Sequence, residues 1–300
     1  MPRIINYGSC CIDHVFQVPH FVSPGETLSS TDYRVFPGGK GLNQSIAVAK
    51  GGARVIHVGA IGHDGQWLQA ELDAAGVDTT YLTLLSAPSG QAIIQVDPNG
   101  ENAIVIVGGT NQANHEAELT QALSDANEQD MLLIQNETSG NAFAMALAKR
   151  KGLRIVFNMA PMNDSALNLP LDLVDYFVVN ETEAEVLTGA SAPDEICKTF
   201  IERFSNSALV LTLGQDGAVY CDAERTITQR AFPVTPLDTT GAGDTFTGFL
   251  LSHLIGSDQV DEALRIAAAA AALSVTVEGA ATSIPTAQAV ENFLSQVSLD

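Results

Sequence analysis

The apolar positions of the chain follow two rhythms. From Met131 onward, short apolar runs alternate with stretches of helical periodicity. Strands are predicted at Met131–Gln135, Leu153–Phe157, Tyr176–Val179 and Ala208–Leu213, with helices at Asn141–Lys151, Glu181–Leu187 and Asp194–Phe204. This alternation predicts βαβ units and a mostly parallel sheet covered on both faces. Arg3–Tyr7 and Arg54–Ala60 read as further strands, and Leu42–Lys50 and Gln66–Ala75 as helices, the second stopped by Gly76. The first third also holds a different pattern. Asp13–Val18 and Thr31–Phe36 alternate apolar and polar residues, and Gln91–Val96 and Asn102–Val107 flank the turn Asp97-Pro98-Asn99-Gly100. Strands with one wet face do not fit between two helical layers. They predict a small projecting sheet, serving as a lid over a site or as a dimer surface. Near the C-terminus a β-like run leads through Val234 to Pro236, and a helix is predicted over Thr245–Ile255. The alanine-rich run Ile266–Val277 is shorter than the ~20 residues a membrane span needs, and reads as a helix packed closely on a neighbour.

Composition narrows the classes. The 300 residues, 46% hydrophobic and 16% charged, suit a globular α/β chain of one large domain or two smaller ones. The net charge of −21 argues against sequence-independent binding to nucleic acid or anionic membrane. Cys10, Cys11, Cys197 and Cys221 form no C-x-x-C and read as free thiols of a reducing compartment. With no signal-peptide pattern at the N-terminus, a cytoplasmic protein is expected.

The segment Asp238-Thr239-Thr240-Gly241-Ala242-Gly243-Asp244 opens the Thr245–Ile255 helix. Glycines at a helix start let a ligand approach free N–H groups, and the helix dipole favours an anion there. Asp244 places a carboxylate beside that anion site. Such a carboxylate suits proton abstraction from a hydroxyl that receives a phosphoryl group; a helix-stabilising acid behind a Gly-rich turn explains it equally. Gly38-Gly39-Lys40-Gly41 precedes Asn43, so Lys40 reads as a phosphate partner or a solvated loop lysine, and Asn43 as a sugar contact. Asn180 and Glu183 form a capping box, and also stand at a strand's C-terminal end, where open α/β sheets bind ligands. Thr212, Gly214 and Gly217 mark a turn that suits a nucleotide. Asp13 and Glu137 read as surface acids or polyol acceptors. No P-loop, dinucleotide fingerprint, zinc spacing or nucleophile elbow occurs.

Gly38-Gly39-Lys40-Gly41-Leu42-Asn43-Gln44, Asn180-Glu181-Thr182-Glu183, Thr212-Leu213-Gly214 and Asp238–Asp244 stand in the order seen in the ribokinase (PfkB) family of carbohydrate kinases. Pro24-Gly25-Glu26-Thr27, Asn158-Met159-Ala160-Pro161 and the alanine-rich segment ending in Gly279 strengthen the resemblance, which spans about Ile4 to Leu294. It implies a three-layer α/β/α sandwich with a small β-sheet lid, one kinase domain over 1–300 with lid strands from about 13–37 and 90–107. It implies an ATP-dependent kinase for the primary hydroxyl of a pentofuranose, D-ribose giving D-ribose 5-phosphate. The alternatives are another small sugar such as deoxyribose or fructose, a nucleoside, or a non-catalytic sugar sensor on the same fold.

By family pattern Asp244 is the base, and the backbone of Gly241, Ala242 and Gly243 forms the anion hole. Asp13, Cys11, Gly39, Lys40, Asn43 and Glu137 match sugar-binding positions. Asn180, Thr212, Gly214, Gly217, Gly243 and Ala268 match nucleotide positions. Glu183 matches a magnesium position acting through water, and Asp238, Thr240, Ser274, Val277, Gly279 and Ser283 match a potassium site. A homodimer through the lid is implied. Three departures stand out. Cys11 occupies a position that is usually asparagine, a loss of one sugar contact that would weaken ribose binding or admit a deoxy sugar or another furanose. Ala268 is small where adenine is flanked, and the usual Gly-x-Asp-x-x-Gly spacing is not clean at Gly62-His63-Asp64-Gly65.

Overall fold

The structure, a computed structural model, describes residues 2–257 and 259–297. Its first half runs β1 (Arg3–Tyr7), β2 (Cys11–Gln17), β3 (Asp32–Gly38), α1 (Lys40–Lys50), β4 (Arg54–Gly62), α2 (Gln66–Ala74), β5 (Asp78–Leu85), β6 (Gly90–Val96), β7 (Asn102–Val107), α3 (Glu116–Ala122), β8 (Met131–Gln135) and α4 (Asn141–Arg150). The second half runs β9 (Arg154–Asn158), α5 (Asp164–Leu167), β10 (Tyr176–Asn180), α6 (Glu181–Thr188), α7 (Pro193–Arg203), β11 (Ala208–Thr212), β12 (Ala218–Cys221), β13 (Thr226–Gln229), α8 (Ala242–Leu254), α9 (Val260–Ser274) and α10 (Ala287–Gln296).

The main sheet has nine strands in the order β13-β12-β11-β10-β9-β8-β1-β4-β5. From β11 to β5 all pairings are parallel; β12 and β13 close one edge as an antiparallel hairpin. Side chains alternate between faces, and the two cores record it. Ile4, Met131, Leu133, Val156, Val178 and Val210 pack with α1, α2, α8, α9 and α10. Their neighbours Ile5, Leu132, Ile134, Ile155, Phe157, Phe177 and Leu209 pack with α3, α4, α6 and α7. The result is the α/β/α sandwich. Strand order reverses between β1 and β8, so the crevice at their C-terminal ends is the switch point where open α/β sheets bind ligands.

A second sheet, β3-β2-β6-β7, rises from that same edge. β2 pairs antiparallel with β3 and parallel with β6, and β6 pairs antiparallel with β7. The β6–β7 turn is fixed by Asp97, whose carboxylate accepts from the N–H of Asn99 and Glu101, and by Gly100 at φ 82°.

Some expectations differ from the structure. The run through Val234 to Pro236 pairs with no strand, because Pro233 and Pro236 remove the donors a ladder needs. The helix expected from Thr245 begins at Ala242, with Gly241 as its left-handed cap at φ 75°. The helix expected over Ile266–Val277 is α9, which begins at Val260 and ends at Ser274. Strands β5, β12 and β13 and helices α3, α5 and α10 were not predicted. Among the described residues no helix is long and apolar enough to cross a membrane.

Candidate functional site

The site is assembled at the C-terminal ends of β1, β8, β9, β10 and β11, and the glycines explain how. Gly41 lets α1 rest directly on the turn after β1: a Cβ there would lie 2.2 Å from the Ser9 nitrogen. Gly38 clears the Asp13 carboxylate, since its Cβ would lie 2.0 Å from Oδ2. Gly39 adopts φ 89° and would otherwise press on Cys11. The glycine motif therefore brings β2, α1 and the β1 turn together.

Asp244 is buried in the first turn of α8, 7% exposed. Its Oδ2 accepts from Asn43 Nδ2 at 2.9 Å and its Oδ1 from Gln44 Nε2 at 2.8 Å. The Asn43 Oδ1 is buried and has no partner among the described residues. A bare buried acceptor costs stability, so this atom is ready for a ligand hydroxyl. Gly243 has a different logic from the other glycines. A Cβ there would meet nothing within 4 Å. Space kept open at a helix N-terminus fits the approach of an anion to N–H groups. The Ala242 N–H is turned toward the Thr239 carbonyl at 3.3 Å.

Four carboxylates share the site, and three of them, Asp244, Glu137 and Glu183, act on Lys40. Glu137 accepts from the Ser9 hydroxyl and from the Lys40 backbone N–H at 2.9 Å. Burial raises the Glu137 pKa, against the pull of Lys40. Burial, then Glu137 and Asp244, push Asp13 up to about 7. Burial also raises Glu183, whose Oε2 accepts from the Asn180 N–H in the predicted capping box. The Lys40 pKa is raised chiefly by Asp244, although no carboxylate lies within ion-pair distance of its ammonium among the described residues. A pocket this rich in acceptors suits a ligand made of O–H donors.

Two clefts meet here. The first, about 490 Å³, is lined by Lys40, Asn180, Glu183, Thr212, Gly214, Gly241, Ala242, Gly243 and Asp244. The second, about 470 Å³, runs under the small sheet past Asp13, Val15, Phe36, Asp238, Thr240 and Gly279. Thr239 lines both. Asn158, Ala160, Thr182 and Thr247 also line the first cleft without having been predicted as site residues. Asn158 and Ala160 had stood out only as a motif after a strand; Thr182 lies inside a motif already quoted.

Nine expected site residues line neither cleft: Gly39, Asn43, Glu137, Ser274, Val277 and Ser283, and also Cys11, Ala268 and Gly217. Cys11 is buried, and burial pushes its thiol well up. Its Sγ receives Asn111 Nδ2 at 3.3 Å. Asn111 cannot replace an asparagine at position 11, because its amide is already engaged by both polar atoms of the Cys10 backbone. Ala268 is buried within α9 in the core. Gly217, at φ 106°, packs against the backbone of Gln229 to Ala231.

Of the six residues of the expected potassium site, Asp238 is hydrogen-bonded to Thr240 and Gly279, and the Asp238 N–H donates to the Val275 carbonyl at the end of α9, between Ser274 and Val277. Asp238 Oδ1 accepts from the Thr240 N–H at 2.9 Å and its Oδ2 from the Gly279 N–H at 2.8 Å. Burial opposes its charge, but these bonds hold its pKa below the ordinary value. Ser274 and Ser283 donate their hydroxyls to Ala271 and Ala280, leaving their oxygens free to accept. Hard oxygen donors of this kind fit an alkali cation. Among the described residues no cluster of three His, Cys, Asp or Glu side chains forms a transition-metal site.

The sequence matches the family described as pfkB family carbohydrate kinase over residues 1–287. It is 39% identical over 297 residues to a ribokinase of Haemophilus influenzae, covering 96% of each chain. The fold matches the ribokinase of Cryptococcus neoformans in complex with ADP, with TM-score 0.85 and 32% identity, covering 97% of this chain and 99% of that one. It also matches the Arabidopsis thaliana ribokinase complexed with ribose and ATP, with TM-score 0.85 and 29% identity, covering 99% of both chains.

Proposed function

This chain belongs to the pfkB family of carbohydrate kinases, and we propose that it phosphorylates the primary hydroxyl of a pentofuranose, converting D-ribose to D-ribose 5-phosphate with ATP. The observation that carries the reading is the buried Asp244 carboxylate, held by two amide donors beside the glycine-opened end of α8 where the two clefts meet.

The sugar enters from the side of the small sheet. Asp13, Glu137 and the unpartnered Asn43 Oδ1 accept its hydroxyls, Lys40 lines the cleft, and Gly39 lets the chain turn beside it. ATP lies along the first cleft, against Asn180, Thr212 and Gly214, with Ala268 and Gly217 further back. Asp244 takes the proton of the primary hydroxyl as its oxygen attacks the γ-phosphorus. Backbone N–H groups of Gly241 and Gly243, and that of Ala242 once it leaves the Thr239 carbonyl, receive the charge that grows on the transferred group. Lys40, half-buried in the same cleft, neutralises negative charge on the phosphate side.

The donor sets also fit the two cations. Glu183 keeps Oε1 free of the capping box, which suits a water of hydrated Mg²⁺. Bound there, Mg²⁺ would offset the four carboxylates and the nucleotide phosphates. Asp238, Thr240, Ser274, Val277, Gly279 and Ser283 supply oxygens for K⁺. A cation among them would order the loop that leads into Gly241 without entering the chemistry.

The small sheet is read as a lid, with strands from about 13–37 and 90–107 in one kinase domain, and as a homodimer surface. Support comes from Ile104, Val105, Ile106 and Val107, which are 50, 64, 53 and 49% exposed in succession along an edge strand. Sedimentation of Val105→Asp at monomer mass is the expected result; unchanged dimer mass removes this surface from the contact. A cytoplasmic location is supported by four cysteines that are all free. Nucleic acid and membrane are not partners in this reading.

The test is an ADP-release assay with Mg²⁺, ATP and K⁺ across ribose, deoxyribose, arabinose, fructose and nucleosides. Highest kcat/KM for ribose is expected. A preference for deoxyribose or fructose keeps the mechanism and moves the substrate, with Cys11 the first residue to test. Sugar binding without ADP release from any member would make the protein a sensor.

A further inference from the structure

Gln44 has no assigned part in sugar, nucleotide or cation binding, yet its fully buried amide reaches the base. The polarity of that contact is fixed from behind. The Gly41 carbonyl can only accept, so the Asn6 amide must present Nδ2 to it, at 2.8 Å. Asn6 Oδ1 then faces Gln135 Nε2 at 3.0 Å. Gln135 Nε2 also donates to Gln44 Oε1 at 2.7 Å. With its carbonyl engaged, Gln44 has only Nε2 to offer Asp244 Oδ1. Asn158 agrees: its Nδ2 donates to the Val178 carbonyl at 3.2 Å, which leaves Oδ1 facing Gln44 Nε2 at 3.4 Å. Two backbone carbonyls on different elements thus impose one orientation on a chain of four buried amides.

We infer that Gln44 is the positioning residue of Asp244: it holds Oδ1 as an acceptor only, so the substrate proton goes to Oδ2, and Asn6 and Gln135 fix the direction of the Gln44 amide. The inference rests on the kinase reading. In the step it describes, the sugar O–H bond breaks and a new O–H bond forms at Asp244 Oδ2. The sugar oxygen pair bonds to the γ-phosphorus, and the bond from that phosphorus to ADP breaks. Among the described residues Oδ2 receives only Asn43 Nδ2, so a lone pair remains for the hydroxyl. The charged groups facing Asp244 are Asp13 of β2, Lys40 of α1, Glu137 after β8 and Glu183 of α6. Beyond the amides, Ser45 bonds Asn6 and His57 of β4, and burial lowers the His57 pKa to about 4, so this end stays neutral.

Gln44→Glu turns the donor into an acceptor and sets two carboxylates against each other. In the full-length enzyme with ribose and MgATP, the acid limb of the kcat–pH profile should rise by about one pH unit or more. At neutral pH kcat should fall roughly 10–100-fold, part of the ~10²–10⁴-fold that general-base catalysis supplies. The ribose Kd by calorimetry should stay within about threefold, since the base is a transition-state contact. Gln135→Met frees the Gln44 amide to turn over and should act in the same direction, more weakly. A purely structural role would lower the melting temperature of both variants and leave kcat and the acid limb of the folded protein at wild-type values; that result overturns the inference. If Gln44→Glu does not fold, Gln135→Met decides alone on the same criteria. A wild type that consumes no ATP with any sugar overturns the kinase reading and this inference with it, whereas an active wild type with unmoved variants overturns this inference only.

Discussion

Replacing Asp244 by asparagine removes the proton acceptor and disturbs little else in shape. The wild-type carboxylate satisfies two donors, Gln44 Nε2 at 2.8 Å and Asn43 Nδ2 at 2.9 Å. An asparagine offers one carbonyl and one amide nitrogen, so one donor must face another donor. Leaving a buried donor unpaired costs about 1–3 kcal/mol of stability. The chemical loss is larger. With no general base, kcat should fall by ~10²–10⁴, or about 3–5 kcal/mol of transition-state stabilisation. Sugar binding should survive, because Asp13, Glu137 and Asn43 remain in place. The assay is ADP release at saturating ribose and MgATP, with ribose affinity by calorimetry and a thermal melt alongside. Asp244→Asn with kcat within tenfold of wild type would refute the general-base assignment. Unchanged kcat with weakened ribose binding would move Asp244 to a purely binding role.

Three further outcomes follow from the geometry. Asp13 has a folded pKa of about 7 against an ordinary 3.8. Its contribution to stability is therefore complete below pH 3.8 and is lost as pH rises through about 7; the loss is at most about 4 kcal/mol. Thermal melts of the ligand-free protein should fall between about pH 4 and 7 and level off above, and Asp13→Asn should flatten that slope; an unchanged slope assigns it to other groups. Asp238→Ala removes the acceptor for the Thr240 and Gly279 N–H groups, so activation by K⁺ should disappear while ribose affinity holds, read from rate against K⁺ concentration; full activation would place the cation elsewhere. Cys11→Asn restores a polar side chain and should lower the ribose KM by about three- to tenfold, one hydrogen bond's worth; an unchanged KM would show that position 11 does not touch the sugar.

Much of this architecture is legible in the sequence where burial is complete. β1 and β8 were bounded at the residues seen, because two-sided burial leaves the short apolar cores Ile4–Ile5 and Met131–Ile134, each followed by a buried polar residue at the site. β5 was missed because its sequence, Asp78-Thr79-Thr80-Tyr81-Leu82-Thr83-Leu84-Leu85, is mixed and only half-buried at the sheet edge. Short α3 and β12 offer too few residues for a period to show. The run to Pro236 misled because its apolar residues lack the donors of a strand. At the site, motifs located Asp244, Asn43 and Lys40, since glycines and polar residues at a strand-to-helix turn have few other reasons to be there. Gln44 stood in the same motif without a role, because nothing in the local pattern shows what its amide meets. Only the crossing of α1 and α8 brings adjacent residues 43 and 44 to the two oxygens of one carboxylate. The partner network from Asn6 and Gln135 joins residues 129 positions apart, a separation that no local pattern records.

The central claim is transfer of the γ-phosphoryl group of ATP to a primary sugar hydroxyl, and phosphorus NMR of the reaction with ribose and MgATP tests it most directly. The account predicts ADP together with a phosphomonoester signal split by the two methylene protons of the primary carbon. A phosphorus coupled to a single proton would place the phosphate on a secondary hydroxyl, and inorganic phosphate alone would mean hydrolysis; either result contradicts the account.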